Sequence, residues 1–311
     1  METNTLPVRL GKSRPAQRRF DRLVRLVRVQ GFERLQDAHV IVFGVGGVGG
    51  YAAEGLARSG IGRLTLVDYD VVCATNLNRQ IQALAGNVGK PKAEVLAERL
   101  RAINPQLQVQ AICTFYEASK ADELLPLDQP ATFVVDAIDH VTAKLHLLNR
   151  CRANGIAVVS SMGAAGKLDP TQVRVADLFE THTDPLARAV RKSLRKNYGW
   201  PEAGKGKGKQ ALSGVKVVYS LESRRYPIPP DWDAEHGFQC VCPPSESGID
   251  MCAHRNLIEG SAVFVTSVFG MAMAGVVVRE LAGEFLAPTL QEVQASNAAA
   301  GHSEHCEGDE A

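Results

Sequence analysis

Short apolar segments alternate with amphipathic ones along the first half of the chain. Apolar runs of strand length lie at residues 39–43, 63–67, 107–113, 132–135 and 156–160. Segments with helical periodicity separate them, at residues 21–35, 48–58, 92–103 and 141–153. A strand buried on both faces is a continuous apolar run, whereas a surface helix has apolar residues every three or four positions. This alternation predicts an α/β fold with a doubly wound, mostly parallel sheet.

The pattern changes after residue 161. Residues 171–176 alternate as a strand exposed on one face does, 185–198 form a basic helical pattern, and 215–220 form a further strand. Residues 223–247 contain five prolines and no clean period, which indicates a crossover loop. The second half is therefore expected to add an antiparallel extension to the sheet. We expect a basic arm at 1–20, one domain at 21–286 and a disordered tail at 287–311.

An uncharged run at residues 261–278 has the length of a membrane span. It is rich in Gly, Ala, Ser and Thr, and Glu259 and Arg279 bracket it, so we expect a helix that is buried or lies at a dimer interface. Residues 1–20 contain no apolar core of a signal peptide. We therefore predict a cytoplasmic protein without a membrane span.

The cysteine count agrees with a reducing compartment. An odd number of cysteines favours free thiols over a disulfide framework. The seven lie at Cys73, Cys113, Cys151, Cys240, Cys242, Cys252 and Cys306.

The overall charge is almost balanced, at +1 for 311 residues, which excludes a uniformly basic nucleic-acid-binding protein. Basic residues are nevertheless concentrated in the N-terminal arm and in a second cluster that a single acid, Glu202, opposes. The second cluster consists of Arg188, Arg191, Lys192, Arg195, Lys196, Lys205, Lys207 and Lys209. Such patches can follow a phosphate backbone; the alternative is a solvated helix face beside a basic loop.

A glycine-rich turn follows the first strand, with the sequence Gly-Val-Gly-Gly-Val-Gly at residues 44–49. Backbone that approaches phosphate oxygens needs glycine, and the next helix offers its N–H groups to the anion. The glycines expected to line this site are Gly44, Gly46, Gly47 and Gly49. Asp68 ends the second strand, where a carboxylate can accept hydrogen bonds from ribose hydroxyls. These features alone suit a dinucleotide or ATP.

The residues after Asp68 favour ATP. A triphosphate calls for an arginine fork, a lysine charge and a carboxylate that can share a magnesium ion. The chain offers such side chains at Asp70, Asn76, Arg79, Gln80 and Lys92. A nicotinamide oxidoreductase would leave these residues unexplained. The P-loop pattern Gly-x-x-x-x-Gly-Lys-Ser/Thr does not occur.

At these residues the sequence resembles the ubiquitin-activating-enzyme-like adenylyltransferases, from about residue 19 to about residue 281. The resemblance implies that Arg79 and Lys92 hold the phosphates and that Asp139, in Asp136-Ala137-Ile138-Asp139, holds Mg²⁺. Independently, Asp139 lies just after an apolar strand, where ligands of open α/β sheets collect. The alternative reading is that Asp139 caps the helix at 141–153, and both roles can coexist.

The family supplies an arginine to the active site across a homodimer. Arg19-Phe20-Asp21-Arg22 fits the segment of the sulfur-carrier activators, which would select Arg22. Arg25-Leu26 fits another branch better, which would select Arg25. The two side chains are three residues apart and share a helix face, so both remain candidates.

Motifs in the second half of the sequence indicate which branch of this family the chain resembles. Carrier activators bind zinc with two Cys-x-x-Cys pairs, which this chain lacks, and Cys240-x-Cys242 is too tightly spaced to replace them. Residues 161–173, Asp177-Leu178 and 184–187 instead resemble the branch that dehydrates threonylcarbamoyladenosine beside the tRNA anticodon. That resemblance implies a tRNA substrate whose carboxylate is adenylated with ATP. Because nucleophile and electrophile then share one molecule, Cys240 and Cys242 are optional as nucleophiles.

The leading hypothesis is therefore ATP-dependent dehydration of modified tRNA. Its nearest rival is an adenylyltransferase for a ubiquitin-like sulfur carrier, which shares the ATP site. A third alternative is a docking module in a sulfur relay, with a cysteine desulfurase or sulfur acceptor as partner. A degraded ATP site would be expected in such a module, yet every matched position is filled.

Overall fold

A computed structural model describes residues 17–129, 131–201, 212–231 and 259–294 of the chain. Seven strands form one sheet in the order β3-β2-β1-β4-β5-β7-β6. Their bounds are β1 His39–Phe43, β2 Arg63–Val67, β3 Gln108–Ile112, β4 Phe133–Asp136, β5 Val158–Ser161, β6 Val173–Asp177 and β7 Lys216–Ser220. All neighbouring strands are parallel except β6 and β7.

Helices cover both faces of this sheet. Their bounds are α1 Asp21–Asp37, α2 Gly49–Arg58, α3 Lys92–Ile103, α4 Ala121–Leu124, α5 Val141–Ala153, α6 Pro185–Tyr198 and α7 Val263–Ala282. Alternate residues of each strand face opposite layers. Val40 and Val42 of β1 pack in the core formed with α1, α2, α3 and α7. Ile41 and Phe43 of the same strand pack in the core formed with α4, α5 and α6.

The position of β1 determines where a ligand can bind. Strand β1 pairs with β2 on one side and β4 on the other, and Phe43 lies opposite both Val67 and Asp136. Strands β2 and β3 follow β1 on one side of it, and strands β4 to β7 are then added on the other side. At such a reversal the loops after the two strands diverge and leave a crevice at their carboxyl ends.

The predicted α/β fold is confirmed, including the antiparallel pair at the end of the sheet. The helices predicted at 92–103, 141–153 and 185–198 coincide with α3, α5 and α6. Helix α1 departs from a regular helix at Arg28, whose φ of 57° and ψ of 173° produce a kink. The strand predicted at 171–176 begins only at Val173, because Asp169 caps a 3₁₀ turn over Pro170–Gln172. The short helix α4 was not predicted.

Helix α7 is the core element of one layer. Among the described residues, only the stretch 263–294 is long and apolar enough to pass as a membrane span, with mean hydropathy 1.6. Half of the 18-residue window that meets this criterion is buried inside the fold, as expected of a core helix. Its buried side includes Val265, Phe269 and Met273. A stripe on the opposite side exposes Phe264, Val268 and Met271.

Several predictions lie outside the described residues. These are most of the basic arm, Lys205, Lys207, Lys209, the crossover loop with Cys240 and Cys242, and the tail beyond residue 294. Within the predicted tail, residues 290–294 are helical.

The contact between α7 and α2 leads to a prediction on stability. A Cβ at Gly270 would lie 2.4 Å from the Val48 carbonyl oxygen and 2.8 Å from the Ala52 nitrogen. Gly270→Ala should therefore lower the free energy of unfolding by about 1–3 kcal/mol through overpacking. Gly275→Ala, on the same helix with no atom within 4 Å of the added Cβ, should raise it by about 0.5–1 kcal/mol. Urea unfolding of both variants measures the contrast, and equal midpoints would contradict it.

Candidate active site

The glycine-rich turn lies in the crevice between β1 and β4. Gly44 has a φ of +82°, and a Cβ there would lie 2.7 Å from the Ala137 carbonyl oxygen in the loop after β4. A Cβ at Gly49 would lie 1.8 Å from the Gly44 carbonyl oxygen. These two positions therefore require glycine for the fold itself. No side chain caps the first turn of α2, although its Gly50 N–H already donates to the Gly46 carbonyl oxygen at 3.0 Å. The positive end of the helix dipole at this turn favours an anion.

The other two glycines bring the turn against the segment predicted to bind phosphate. A Cβ at Gly46 would lie 3.7 Å from Gln80 Nε2, and one at Gly47 would lie 3.4 Å from Arg79 Cγ. Neither distance forbids a side chain. The structure thus places Arg79 and Gln80 beside the glycine turn, as the sequence analysis required for one shared site.

Asp68 supports the turn from the end of β2. Its Oδ2 accepts a hydrogen bond from the Val45 N–H at 2.7 Å, and its Oδ1 accepts one from the Asp70 N–H at 2.9 Å. Burial raises the pKa of Asp68, and the charge of Lys92 opposes that shift. Each carboxylate oxygen has a second lone pair for the predicted ribose contact.

Lys92 and Asp70 form an ion pair next to this carboxylate. The Lys92 Nζ lies 2.8 Å from Asp70 Oδ2, and the lysine side chain is 8% exposed against 40% for the aspartate. The backbone holds the pair as well, since the Lys92 N–H donates to the Asp70 carbonyl at 2.9 Å. An ammonium has three donors, so Lys92 can bind a phosphate while it stays paired with Asp70.

Asn76 has a structural role in the turn that presents Arg79. Its Oδ1 accepts a hydrogen bond from the Cys73 N–H at 3.0 Å, and the side chain is buried. Its carbonyl oxygen accepts the N–H groups of Arg79 and Gln80. Arg79, partly buried, donates to the Thr75 carbonyl oxygen at 2.8 Å. The nucleotide contact of Asn76 remains a prediction, because this turn already explains its side chain.

Sequence analysis missed Gln82. This buried side chain donates from Nε2 to the Val45 carbonyl oxygen at 2.5 Å and to Gln80 Oε1 at 3.4 Å. It therefore connects the glycine turn to Gln80. Its own Oε1 is buried without a hydrogen-bond partner in the described part of the chain. In the sequence, only the polar–apolar–polar order of residues 80–82 points to Gln82 as a buried polar residue. That order does not indicate that Val45 is its hydrogen-bond partner.

The two aspartates after β4 have different surroundings. Asp136 is fully buried, pairs with Lys144 Nζ at 2.6 Å and accepts from Ser160 Oγ at 2.6 Å. Asp139 is exposed at the carboxyl edge of the sheet, in the loop that contacts Gly44. The alternative that Asp139 caps α5 is wrong, because His140 is the cap and its Nδ1 accepts from the Ala143 N–H at 3.3 Å. Asp139 is thus available for a ligand.

A magnesium site made of protein ligands alone is not present among the described residues, which contain no group of three or more His, Cys, Asp or Glu. Mg²⁺ commonly binds through one or two carboxylates together with substrate phosphates and water. The exposed Asp139 suits that second kind of site.

Arg22 and Arg25 lie away from the glycine turn. Both are exposed on α1, and Arg25 pairs with Asp21 at 3.0 Å. Phe20 packs on Phe32 and approaches Gly60, at the turn that precedes β2. This is the amino edge of the sheet, about 13 Å or more from the carboxyl edge for a five-residue strand. Within one chain, neither arginine is brought to the site.

The motifs of the second half meet at the carboxyl ends of β5 and β7. Lys167 Nζ lies 3.2 Å from Asp184 Oδ2, which also accepts from the Gly163 N–H at 3.1 Å. Asp184 Oδ1 caps α6 through the Ala187 N–H at 2.9 Å. The segments 161–173 and 184–187, which are separate in sequence, thus form one structural unit.

The described cysteines give one correction. Cys113 and Cys151 are free, and burial raises the pKa of the Cys151 thiol to about 12. Cys73, however, is disulfide-bonded. Cys73 therefore departs from the expectation that the cysteine count favours free thiols over a disulfide framework.

Comparison with known proteins agrees with this geometry. The model of the ThiF family matches residues 20–302. The tRNA threonylcarbamoyladenosine dehydratase of Escherichia coli (strain K12) is 41% identical to this chain, over 82% of this chain and 90% of its own length. The enzyme of the same name from Bacillus subtilis (strain 168) is 40% identical, over 84% of this chain and 94% of its own length.

Solved structures show the same similarity. The E. coli tRNA N6-threonylcarbamoyladenosine dehydratase in complex with ATP matches with a TM-score of 0.70 and 37% identity, over 85% of this chain and 94% of that one. The same protein in complex with AMP matches equally well, with a TM-score of 0.70. The family match over residues 20–302 includes both the glycine turn and the second-half motifs.

Proposed function

The chain belongs to the ThiF family, and we propose that it uses ATP to dehydrate threonylcarbamoyladenosine beside the anticodon of tRNA. The supporting observation is that one crevice gathers the glycine turn, Arg79, Lys92 and Asp139, while the adjacent strand ends carry the Lys167–Asp184 unit. The proposal also draws on relatives of that name that match over most of the chain. We expect such an enzyme in the cytoplasm, where tRNA is modified.

The chemistry has two steps. The threonyl carboxylate attacks the α-phosphorus of ATP, so that pyrophosphate leaves and an acyl adenylate forms. A ureido atom of the same side chain then attacks the activated carbonyl, loses its proton and releases AMP, which carries away the carboxylate oxygen. The net result is a cyclic product lacking one water. An intramolecular attack has a high effective molarity, so no enzyme nucleophile is required.

The residues of the crevice have distinct roles in this scheme. The glycine turn and the first turn of α2 bind phosphate oxygens, while Arg79 and Lys92 stabilise charge that develops on the departing pyrophosphate. Asp139 would hold a magnesium ion, which supplies electrostatic stabilisation of the phosphates when bound. Asp68 binds the ribose and fixes the turn through Val45.

The alternative is an adenylyltransferase for a ubiquitin-like sulfur carrier, which would use the same crevice. The chain lacks the zinc-binding Cys-x-x-Cys pairs of that branch. The second-half unit of Lys167 and Asp184 instead uses the motifs that resemble the tRNA-modifying branch. A cysteine desulfurase or sulfur acceptor stays a predicted partner from the sequence alone.

Product analysis tests the proposed reaction. The protein is incubated with labelled ATP and with tRNA that contains threonylcarbamoyladenosine, and both the nucleotides and the modified nucleoside are measured. We expect AMP and pyrophosphate, with one water lost from the nucleoside per ATP, because the crevice stabilises charge on a leaving pyrophosphate. The formation of ADP and orthophosphate would rule out adenylation. Turnover with a sulfur carrier but not with tRNA would select the alternative.

Arg79→Ala and Asp139→Ala should each reduce kcat at least about a hundredfold, because a transition-state contact of this kind is worth about 2.7–4 kcal/mol. Arg63→Ala and Asp128→Ala remove the same charges from exposed positions away from the crevice and serve as matched controls. Steady-state kinetics and an unfolding curve are measured for all four variants. Activity of a crevice variant within tenfold of its control would remove that residue from the mechanism.

A homodimer would complete the active site. The exposed apolar stripe of Phe264, Val268 and Met271 offers a face for a second copy, and Arg22 or Arg25 is far from the crevice of its own chain. In a symmetric pair, the arginine of one subunit reaches the crevice of its partner. This arrangement explains why the arginine segment lies at the opposite edge of the sheet.

Complementation tests the shared site. The double variant Arg22→Ala/Arg25→Ala and the variant Asp139→Ala should each be inactive alone. Equal mixing makes about half of the dimers mixed, each with one intact site, so roughly a quarter of the wild-type activity should return. Subunit exchange is verified with a tag on one variant. If exchange occurs and activity does not return, the arginine does not act across the dimer.

Part of the predicted basic cluster forms a stripe on α6. Arg191 donates to the Thr181 carbonyl oxygen at 3.0 Å, and Arg195 stacks on Phe179 at 5.3 Å, so both support the fold. Arg188, Lys192 and Lys196 are exposed and four residues apart, which places them on one helix face. We assign this stripe to tRNA phosphates, together with Lys205, Lys207 and Lys209 from the sequence.

Replacing Arg188, Lys192 and Lys196 by Ala should weaken tRNA binding and leave ATP affinity unchanged. Each lost phosphate contact should flatten the slope of log affinity against log salt by about one unit. The double variant Arg63→Ala/Arg101→Ala, which removes exposed charge from the amino side of the sheet, is the control. A salt slope equal to that of the wild type would leave the stripe as a solvated face.

A further inference from the structure

A separate cavity of about 150 Å³ lies at the same edge of the sheet as the crevice. Strand β5 ends at Ser161, and Gly163, Ala165 and Lys167 from the following loop line the cavity. Strand β5 is the neighbour of β4, whose loop contains Asp139. Adjacent strands are about 4.8 Å apart, so the cavity begins within roughly 10 Å of the crevice between β1 and β4.

A series of hydrogen bonds also connects the cavity to Arg79. The Gly166 N–H donates to the Gly260 carbonyl oxygen at 2.7 Å, and Glu259 lines the cavity. Ser261 follows Gly260, and its carbonyl oxygen accepts a hydrogen bond from Asn78 Nδ2 at 2.9 Å. Asn78 Oδ1 in turn accepts from Arg79 at 2.9 Å. The segment 259–261 therefore connects the cavity wall, through Asn78, to Arg79, the arginine that we assign to the phosphates.

The wall of the cavity is polar but electrically balanced. Lys167 is 3% exposed; its ammonium donates to the Gly163 carbonyl oxygen at 2.5 Å and to Asp184 at 3.2 Å. These two bonds account for two of its three donors. Arg224 and Glu259 form a second ion pair in the wall. A site with each charge already matched suits a neutral group with hydrogen-bond acceptors better than a free anion.

The other residues of the wall and the volume of the cavity suit a small, partly apolar group. Ala165, Pro185 and Leu186 supply apolar surface. A cavity of about 150 Å³ is large enough for a group the size of benzene. The buried Lys167–Asp184 pair fixes this wall in one arrangement, and the ammonium keeps a third donor for a ligand.

We infer that this cavity binds the threonylcarbamoyl group of the tRNA substrate, with Lys167 donating a hydrogen bond to its ureido oxygen. The inference rests on the proposed function. The ureido group combines a neutral acceptor with N–H donors, and the threonine methyl group fits against Leu186. Bound there, the threonyl carboxylate points toward the crevice and the α-phosphate. Lys167 is a binding residue in this scheme, and Asp184 holds its ammonium in place.

Two variants test the cavity. Ala165→Leu fills it without touching either ion pair, and Ala102→Leu makes the same change at an exposed position near the end of α3. Lys167→Met removes the donor but leaves Asp184 unpaired, so its fold is verified by unfolding curves. The probes are an anticodon stem-loop with threonylcarbamoyladenosine, the same stem-loop with plain adenosine, and ATP.

For Ala165→Leu we expect the KM for the modified stem-loop to rise at least about tenfold, which corresponds to one lost contact of about 1.4 kcal/mol. Affinities for ATP and for the unmodified stem-loop should stay at wild-type values, as should all properties of Ala102→Leu. Folded Lys167→Met should show the same selective loss. If the wild type dehydrates the modified stem-loop and both cavity variants keep its KM within about threefold, the inference is wrong while the proposed function stands. If the wild type neither binds nor converts the modified stem-loop preferentially, the proposed function fails and the inference fails with it.

Discussion

The close approach of two backbone segments, the turn after β1 and the loop after β4, is the constraint on which the site depends. Gly44 sits against the Ala137 carbonyl group, and Gly49 sits against the carbonyl group of Gly44. Any side chain at these positions would separate the loops and displace the first turn of α2. The N–H groups that we propose to bind phosphate and the exposed Asp139 therefore depend on the same backbone contact. Gly270 of α7 packs closely against α2 and keeps this region compact.

Buried ion pairs set the relative positions of the elements along this edge. Lys144 binds Asp136 at the end of β4 and also donates to the Ser161 carbonyl oxygen at 3.1 Å, at the end of β5. Lys167 connects the loop after β5 to the start of α6 through Asp184. Such pairs contribute little net stability, because desolvation offsets their attraction, but each tolerates only one arrangement of its partners. We interpret them as the means by which the crevice and the cavity keep a fixed separation.

The sequence predicted elements and the general site better than it predicted individual contacts. Periodicity over 92–103 and 141–153 was sufficient for α3 and α5, because local burial patterns determine a helix. It did not reveal the break at Arg28, where φ is positive for a residue other than glycine. Nor did it separate Asp136 from Asp139, since the pairing of β4 with β5 brings Ser160 to Asp136 and the packing of α5 brings Lys144 to it. Gln82 was missed for the same reason, because its partner Val45 is 37 residues away.

The proposed chemistry does not require a thiol of the enzyme, and one of the described thiols is unsuited to act as a nucleophile. Cys151 lies in the core with a pKa of about 12, so it is protonated and inaccessible at neutral pH. In the proposed reaction the attacking ureido atom and the activated carbonyl belong to one side chain, and only their conformation has to be controlled. A small cavity that fixes the ureido group beside a phosphate-binding crevice supplies that control. The crevice then makes AMP the leaving group, and the shape of the cavity decides which carboxylate can receive it.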